Sequence, residues 1–176
     1  ALAKKSATIS NGTQINLGNG TSITSGTGST IGGGEGNQAT ANYSVVAGGQ
    51  TNEAKTQYSA IGGGQSNKII TSAGVVGYEV IGGGISNEIS GNNGSVGSMI
   101  GGGSSNKIIN SVYSSIPGGE LNTINDSDYA FAGGKYASLP ANSDGTFLWE
   151  NNAQATPPLV AIPASSNSFL IFPRTA

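Results

Sequence analysis

The chain has 176 residues, 30 of them Gly, with seven basic and nine acidic side chains, a net charge of −2, and neither Cys nor His. Disulfide stapling, Cys/His metal centres and histidine-based triads are therefore excluded, and seven cations are too few for the electrostatic footprint of a nucleic-acid binder. No apolar run approaches the ~18 residues of a spanning helix, so no membrane insertion is expected.

Gly, Ser, Thr and Asn supply about half of the chain, and Ile plus Val outnumber Leu by 25 to 7. That aliphatic bias favours strand over helix. Residues 1–30 read as an irregular β or stalk-like segment, with Ile9, Ile15, Leu17 and Ile23 scattered among Asn-Gly and Gly-rich turns.

Residues 31–138 form a repeat array in which an aliphatic residue is followed at fixed offsets by two Gly and an Asn. The copies are Ile31 with Gly33, Gly34 and Asn37; Val46 with Gly48, Gly49 and Asn52; and Ile61 with Gly63, Gly64 and Asn67. They continue as Ile81 with Gly83, Gly84 and Asn87; Ile100 with Gly102, Gly103 and Asn106; and Ile116 with Gly118, Gly119 and Asn122. A seventh copy begins at Phe131 and has Ala137 where Asn would stand. A flexible Gly/Ser linker would not keep an aliphatic residue and an Asn in step. Successive copies start 15, 15, 20, 19, 16 and 15 residues apart, which suits one coil of a parallel β-solenoid: two short strands and two turns.

The first strand is expected at Tyr43-Ser44-Val45-Val46 and its equivalents, the Gly pair turns the chain, and the second strand starts near Asn, as in Asn67-Lys68-Ile69-Ile70. The extra residues of the two long spacings fall in the second turn, around positions 71–77 and 90–96, as exposed loops. Residues 139–176 form a non-repeat β segment, with strands at Gly145-Thr146-Phe147-Leu148-Trp149, Leu159-Val160-Ala161-Ile162 and Ser168-Phe169-Leu170-Ile171-Phe172. The single Trp and three of the four Phe lie in or beside this end, as a heavier apolar plug.

One such coil is thin. Burying two or three side chains at ~25 cal/mol per Å² does not offset backbone ordering of ~1–2 kcal/mol per residue. Runs of Gly also leave bare edges where another backbone can approach. Both features point to a shared core, so self-association as an intertwined homotrimer is expected. The six Asn are read as structural, able to take left-handed geometry and to form amide ladders between coils. Tyr43, Tyr58, Tyr78 and Tyr113 recur three residues before the aliphatic position, as a packed aromatic stripe.

The array resembles the left-handed parallel β-roll of trimeric autotransporter adhesin heads. It resembles still more the Gly-Gly-x-x-Asn-x-Ala arrays of phage tail-fibre proteins. Gly133-Gly134-Lys135-Tyr136-Ala137, Asp144-Gly145-Thr146-Phe147-Leu148-Trp149 and Asn167-Ser168-Phe169-Leu170-Ile171 are similar to the segment C-terminal to such arrays in those proteins. The resemblance covers roughly residues 30–174. It implies a homotrimeric virion or surface fibre, on a virion tail or at an extracellular surface.

No catalytic constellation is visible and no cofactor is expected. Asp126 and Asp128 share a turn and read as solvated, and Glu35, Glu53, Glu79, Glu88 and Glu120 are each expected to be exposed. The Gly runs lack the Lys-Ser/Thr ending of a phosphate loop. Three non-enzymatic functions fit these features. The first is a structural fibre segment. The second is an adhesin or receptor-binding module that contacts a host-surface glycan or protein through Thr71, Ser72, Val75, Val76, Tyr78, Asn92 and Asn93. The third is a subunit of an extracellular filament.

Overall fold

The computed structural model describes residues 15–16, 26–72, 76–92, 95–151 and 167–172. Val75, Asn93 and the strand expected at 159–162 lie outside the described residues, as does most of 1–30. The described chain is all-β, without helix, and every strand pair is parallel, stacked as a β-solenoid.

Two sheets run the length of the stack. Sheet A contains Ile15–Asn16, Thr30–Ile31, Val45–Val46, Ala60–Ile61, Val80–Ile81, Met99–Ile100, Ser115–Ile116, Phe131–Lys135, Phe147–Asn151 and Phe169–Phe172, with Gly119–Glu120 beside Phe131–Lys135. Sheet B contains Gln38–Ala39, Glu53–Ala54, Lys68–Thr71, Glu88–Gly91, Lys107–Ile109, Thr123–Asn125 and Ser138–Leu139. The two longest spacings do not disturb the register: Ile61 pairs with Ile81, Ile81 with Ile100, and Ile69 with Ile89. Thr71, Ser90 and Gly91, expected in exposed loops, are instead strand residues of sheet B, and Ser95 is fully buried.

Strands of two residues reflect the period-2 alternation of side chains: one points in and its neighbour out. The inward residue of sheet A is aliphatic in nearly every coil, from Ile31 to Leu148, and fully buried. It faces the inward column of sheet B, which runs from Ala39 and Ala54 through Ile69, Ile89, Ile108 and Ile124 to Leu139, also fully buried. The core is thus a narrow double file of aliphatic side chains, with Ala in the second file at one end.

Three features depart from the sequence reading. A third ladder of single bridges, Glu35–Gln50–Gln65–Ile85–Ser104–Glu120, lies between the two sheets, so a coil has three ladders rather than two. Tyr43 and Tyr58 are not in the strand. They sit at its entry with φ of 57° and 61°, as left-handed corners. The coil also outlasts the motif. Beyond Ser138 the same corner bonds recur, with Asn142 N–H on Asp126 O at 3.0 Å and Gly145 N–H on Asp128 O at 2.8 Å, and Phe147–Asn151 continues sheet A.

Candidate interaction surfaces

The buried polar columns explain why the outer faces differ. The Asn52 Nδ2 group donates to Gly48 O and Gly64 O, each at 3.0 Å, and Asn37 Oδ1 accepts the Asn52 backbone N–H at 2.9 Å. The same bonds repeat at Asn67, Asn87, Asn106 and Asn122, all fully buried. The ladder ends at Ala137, whose backbone N–H donates to Asn122 Oδ1 at 2.9 Å. None of these Asn is left-handed. That geometry belongs to the preceding residue, such as Thr51 at 53°, Ser66 at 56° and Ser105 at 57°. The amide stays in the core because its neighbour makes the turn.

Two serine columns escape the sequence reading, although one signal is present: Ser stands two residues before the aliphatic position at Ser29, Ser44, Ser59, Ser98 and Ser114. These hydroxyls satisfy corner carbonyls, as in Ser59 Oγ to Thr56 O at 2.7 Å and Ser98 Oγ to Ser111 O at 2.6 Å. In a second column the hydroxyls of Ser95, Ser111 and Ser127 accept the backbone N–H of the next coil's serine, and the column ends at Ser143, whose own hydroxyl has no partner among the described residues.

Glu79 takes the place of the first column's serine. Against the expectation that it is exposed, it is fully buried, and neither carboxyl oxygen has a hydrogen-bond partner. Burial raises its pKa to about 7, because the solvation lost by the charged form outweighs the support of its own backbone N–H.

Only one Gly of each triplet leaves room for a side chain. A Cβ on Gly64 would lie 2.0 Å from Gly84 O, and one on Gly62 would lie 2.3 Å from Gly82 O. A Cβ on the middle residue, Gly48 or Gly33, would meet nothing within 4 Å. The bare edge expected from the sequence is therefore a single file of middle glycines.

Charge is segregated among the faces. Sheet B presents Glu53, Lys68, Glu88 and Lys107 outward, with Lys68–Glu53 at 3.3 Å and Lys107–Glu88 at 3.8 Å. The bridge ladder carries Glu35, Gln50, Gln65 and Glu120, with Gln50 Nε2 on Glu35 Oε2 at 3.2 Å and Lys135–Glu120 at 2.7 Å. Apart from Glu120 and Lys135, which continue that ladder, the outer face of sheet A carries no charge among the described residues. Its central column runs from Thr30 through Val45, Ala60, Val80, Met99 and Ser115 to Phe131, Phe147 and Phe169. It is flanked by the tyrosine corners on one side and by Gly, Ala, Pro117, Trp149 and Ile171 on the other. Eleven of the fifteen exposed large hydrophobic side chains lie here, including Tyr78 at 57 %, Met99 at 44 % and Phe169 at 71 %.

The tyrosines stack along the solenoid axis. Tyr43, Tyr58 and Tyr78 have successive centroids 5.0 Å apart, and Tyr113 stacks on Tyr129 at 5.7 Å. Where the corner residue is Gly, the next ring lies over it: Tyr43 covers Gly28 and Tyr113 covers Gly97. Phe131, Phe147 and Phe169 form a similar stack at 4.6 and 4.8 Å.

Of the residues considered for receptor contact, Thr71, Ser72 and Asn92 are brought together. They line an open cleft of about 440 Å³ with Ile70, Ser90, Gly91, Ile109 and Asn110. Tyr78 belongs to the tyrosine stack instead, and Val76 bridges Gln57. Asp128 is not a ligand in waiting: its Oδ1 accepts Val112 N–H at 2.8 Å, while Asp144 Oδ1 accepts Asp128 N–H at 2.8 Å. Among the described residues no group of three or more acidic side chains could hold a metal ion. Comparison with protein-family models gives no match to this chain, and comparison with curated proteins gives none either.

Proposed function

We propose that the chain is a structural segment of a homotrimeric fibre, of the kind found on virion tails or extracellular surfaces. In this reading the solenoid is a left-handed β-roll with coils of ~15 residues, intertwined with two further copies. Its work is mechanical: to hold a stiff, protease-resistant rod. The observation that carries the reading is the column of buried Asn amides, each bonded to the coil below and the coil above. Every coil is tied to its neighbours by backbone ladders and by these amides, so bending the rod strains both at once. The sequence resemblance to tail-fibre arrays supports the same reading. Sedimentation velocity and negative-stain imaging test it: the expected result is a short rod of three chains, and a compact monomer counts against it.

A second reading is a receptor-binding module. It is favoured by the cleft at Thr71, Ser72 and Asn92, residues that border the two long spacings in the sequence. Shortening both loops while keeping the rungs tests it: lost attachment to cells or glycans supports recognition, and unchanged attachment supports a scaffold alone.

A further inference from the structure

We infer that the uncharged outer face of sheet A is the surface through which this chain meets further copies of itself, with the file of middle glycines at its border as the line of closest backbone approach. The inference rests on the trimeric reading above and specifies which side of the solenoid it uses.

Three observations favour another copy of the chain over any other occupant. First, the distribution of charge is one-sided. Four of the seven residues in the outward column Gln38–Ser138 of sheet B are charged, as are the two ends of the bridge ladder, yet the central outward column of sheet A has no charge over nine successive rungs. Copies meeting here bury no unpaired ion, the costliest error at an interface.

Second, the size fits. Nine rungs at ~4.8 Å, each with three alternate outward positions, cover roughly 600 Å², near the ~800 Å² per partner of a stable interface. In a threefold assembly each chain has two neighbours, so this strip gives about 300 Å² to each and residues beyond it complete each contact.

Third, the rings do not suit a sugar. Carbohydrate stacking needs an open aromatic face, but Tyr43, Tyr58 and Tyr78 lie face to face, with interplanar angles of 6° and 10°. Only ring edges and hydroxyls point outward. Such a ribbed, rigid surface loses little side-chain entropy when another protein surface covers it.

Gly63, Gly83 and Gly118 have φ of 150°, 157° and 157°, which favours glycine within one chain, but Gly33, Gly48 and Gly102 do not, and there the glycine file adds a feature that the single coil does not need. Position 48 accepts a methyl group without contact, and position 102 meets only Gly83 O, at 4.0 Å. Nothing inside one solenoid excludes Ala there, whereas a neighbouring backbone at van der Waals distance would.

The test uses the full chain and sedimentation velocity over a range of concentrations, with far-UV circular dichroism as the check on folding. The wild type is expected to sediment as a trimer. The double variant Val80→Lys/Met99→Lys is expected to keep its β signal and fall to one third of that mass. Ser138→Lys, which places the same charge outward on sheet B, is expected to stay trimeric. Gly48→Ala/Gly102→Ala is expected to fold as the wild type does and to raise the concentration for half-association at least tenfold. If the lysine pair fails to fold, the glycine pair alone decides. A folded lysine variant that remains trimeric, or an unchanged midpoint for the glycine pair, overturns this surface assignment and leaves the trimer standing. A wild type that is monomeric at every concentration overturns both. Lysine variants of such a monomer that lost glycan or receptor binding would assign the face to a receptor.

Discussion

Asn37 Oδ1 accepts the backbone N–H of Asn52 at 2.9 Å, fifteen residues on, and the Asn52 amide reaches up to Gly64 O at 3.0 Å. Each buried Asn from Asn52 to Asn122 thus joins three consecutive coils, through its backbone N–H and its side-chain amide together. It adds a second donor to a carbonyl that the bridge ladder already holds, as Gln50 N–H holds Gly64 O at 2.9 Å, and so fixes the vertical register in addition to the sheets.

Removing one amide should therefore cost more than one hydrogen bond. Asn67→Ala removes the side-chain partners of Gly63 O and the Asn87 N–H, and one of two donors to Gly84 O, which keeps Gln65 N–H at 2.9 Å. At ~1–3 kcal/mol for each of the two groups left without a partner, summed with less than full additivity, a loss of about 2–4 kcal/mol is expected in urea unfolding. A loss below about 1 kcal/mol would mean that water replaces the amide.

Glu79 should make stability fall as pH rises. Its carboxyl has a pKa of about 7 in the fold against 4.5 as its ordinary value. Below 4.5 both folded and unfolded chains hold the proton, and the contribution is fully favourable. Between 4.5 and about 7 the unfolded chain releases the proton first, so stability declines and then levels off above the folded pKa, by roughly 3 kcal/mol in all. Glu79→Ser should remove this decline, because its hydroxyl can donate to a corner carbonyl as Ser59 does to Thr56 O. Denaturation at pH 4 and pH 8 checks it: the variant's advantage should grow with pH, and a constant difference would exclude titration of this group.

Neighbouring glycines should respond oppositely to a methyl group. Gly64 has φ of 83°, and a Cβ there would sit 2.0 Å from Gly84 O and 2.9 Å from Asn67 Nδ2. Gly64→Ala should cost more than about 3 kcal/mol, through both torsion and collision. Gly48→Ala, sixteen residues earlier and open to solvent, should change single-chain stability by less than about 1 kcal/mol. Thermal unfolding under monomeric conditions separates the two.

Core and surface should also separate cleanly. Ile89→Ala empties the middle of the sheet B file, where Ile69 and Ile108 flank it, and should cost about 3–5 kcal/mol. Lys68→Ala breaks a 3.3 Å pair with Glu53 in which the lysine side chain is 43 % exposed, and should cost under about 1 kcal/mol. Chemical denaturation of both variants makes the comparison, and equal effects would contradict a core confined to the two aliphatic files.

The sequence alone determined what recurs: a stack of short parallel strands, an aliphatic residue pointing inward, a Gly turn and a structural Asn. These were legible because a coil can contact only its neighbours, so residues with equal roles must return at equal offsets. What the tertiary structure decided was direction. Torsion at the corners, with Tyr43 and Thr51 left-handed, sends Asn52 into the core and the tyrosine rings onto one another; a period in sequence does not contain that angle. The same holds for Glu79, whose burial comes from the serine column it interrupts, and for the coil beyond Ser138, where backbone bonds persist after the motif fades. The uncharged face emerged only once each residue's side of the sheet was known, because alternation along two-residue strands assigns neighbours in the chain to opposite environments.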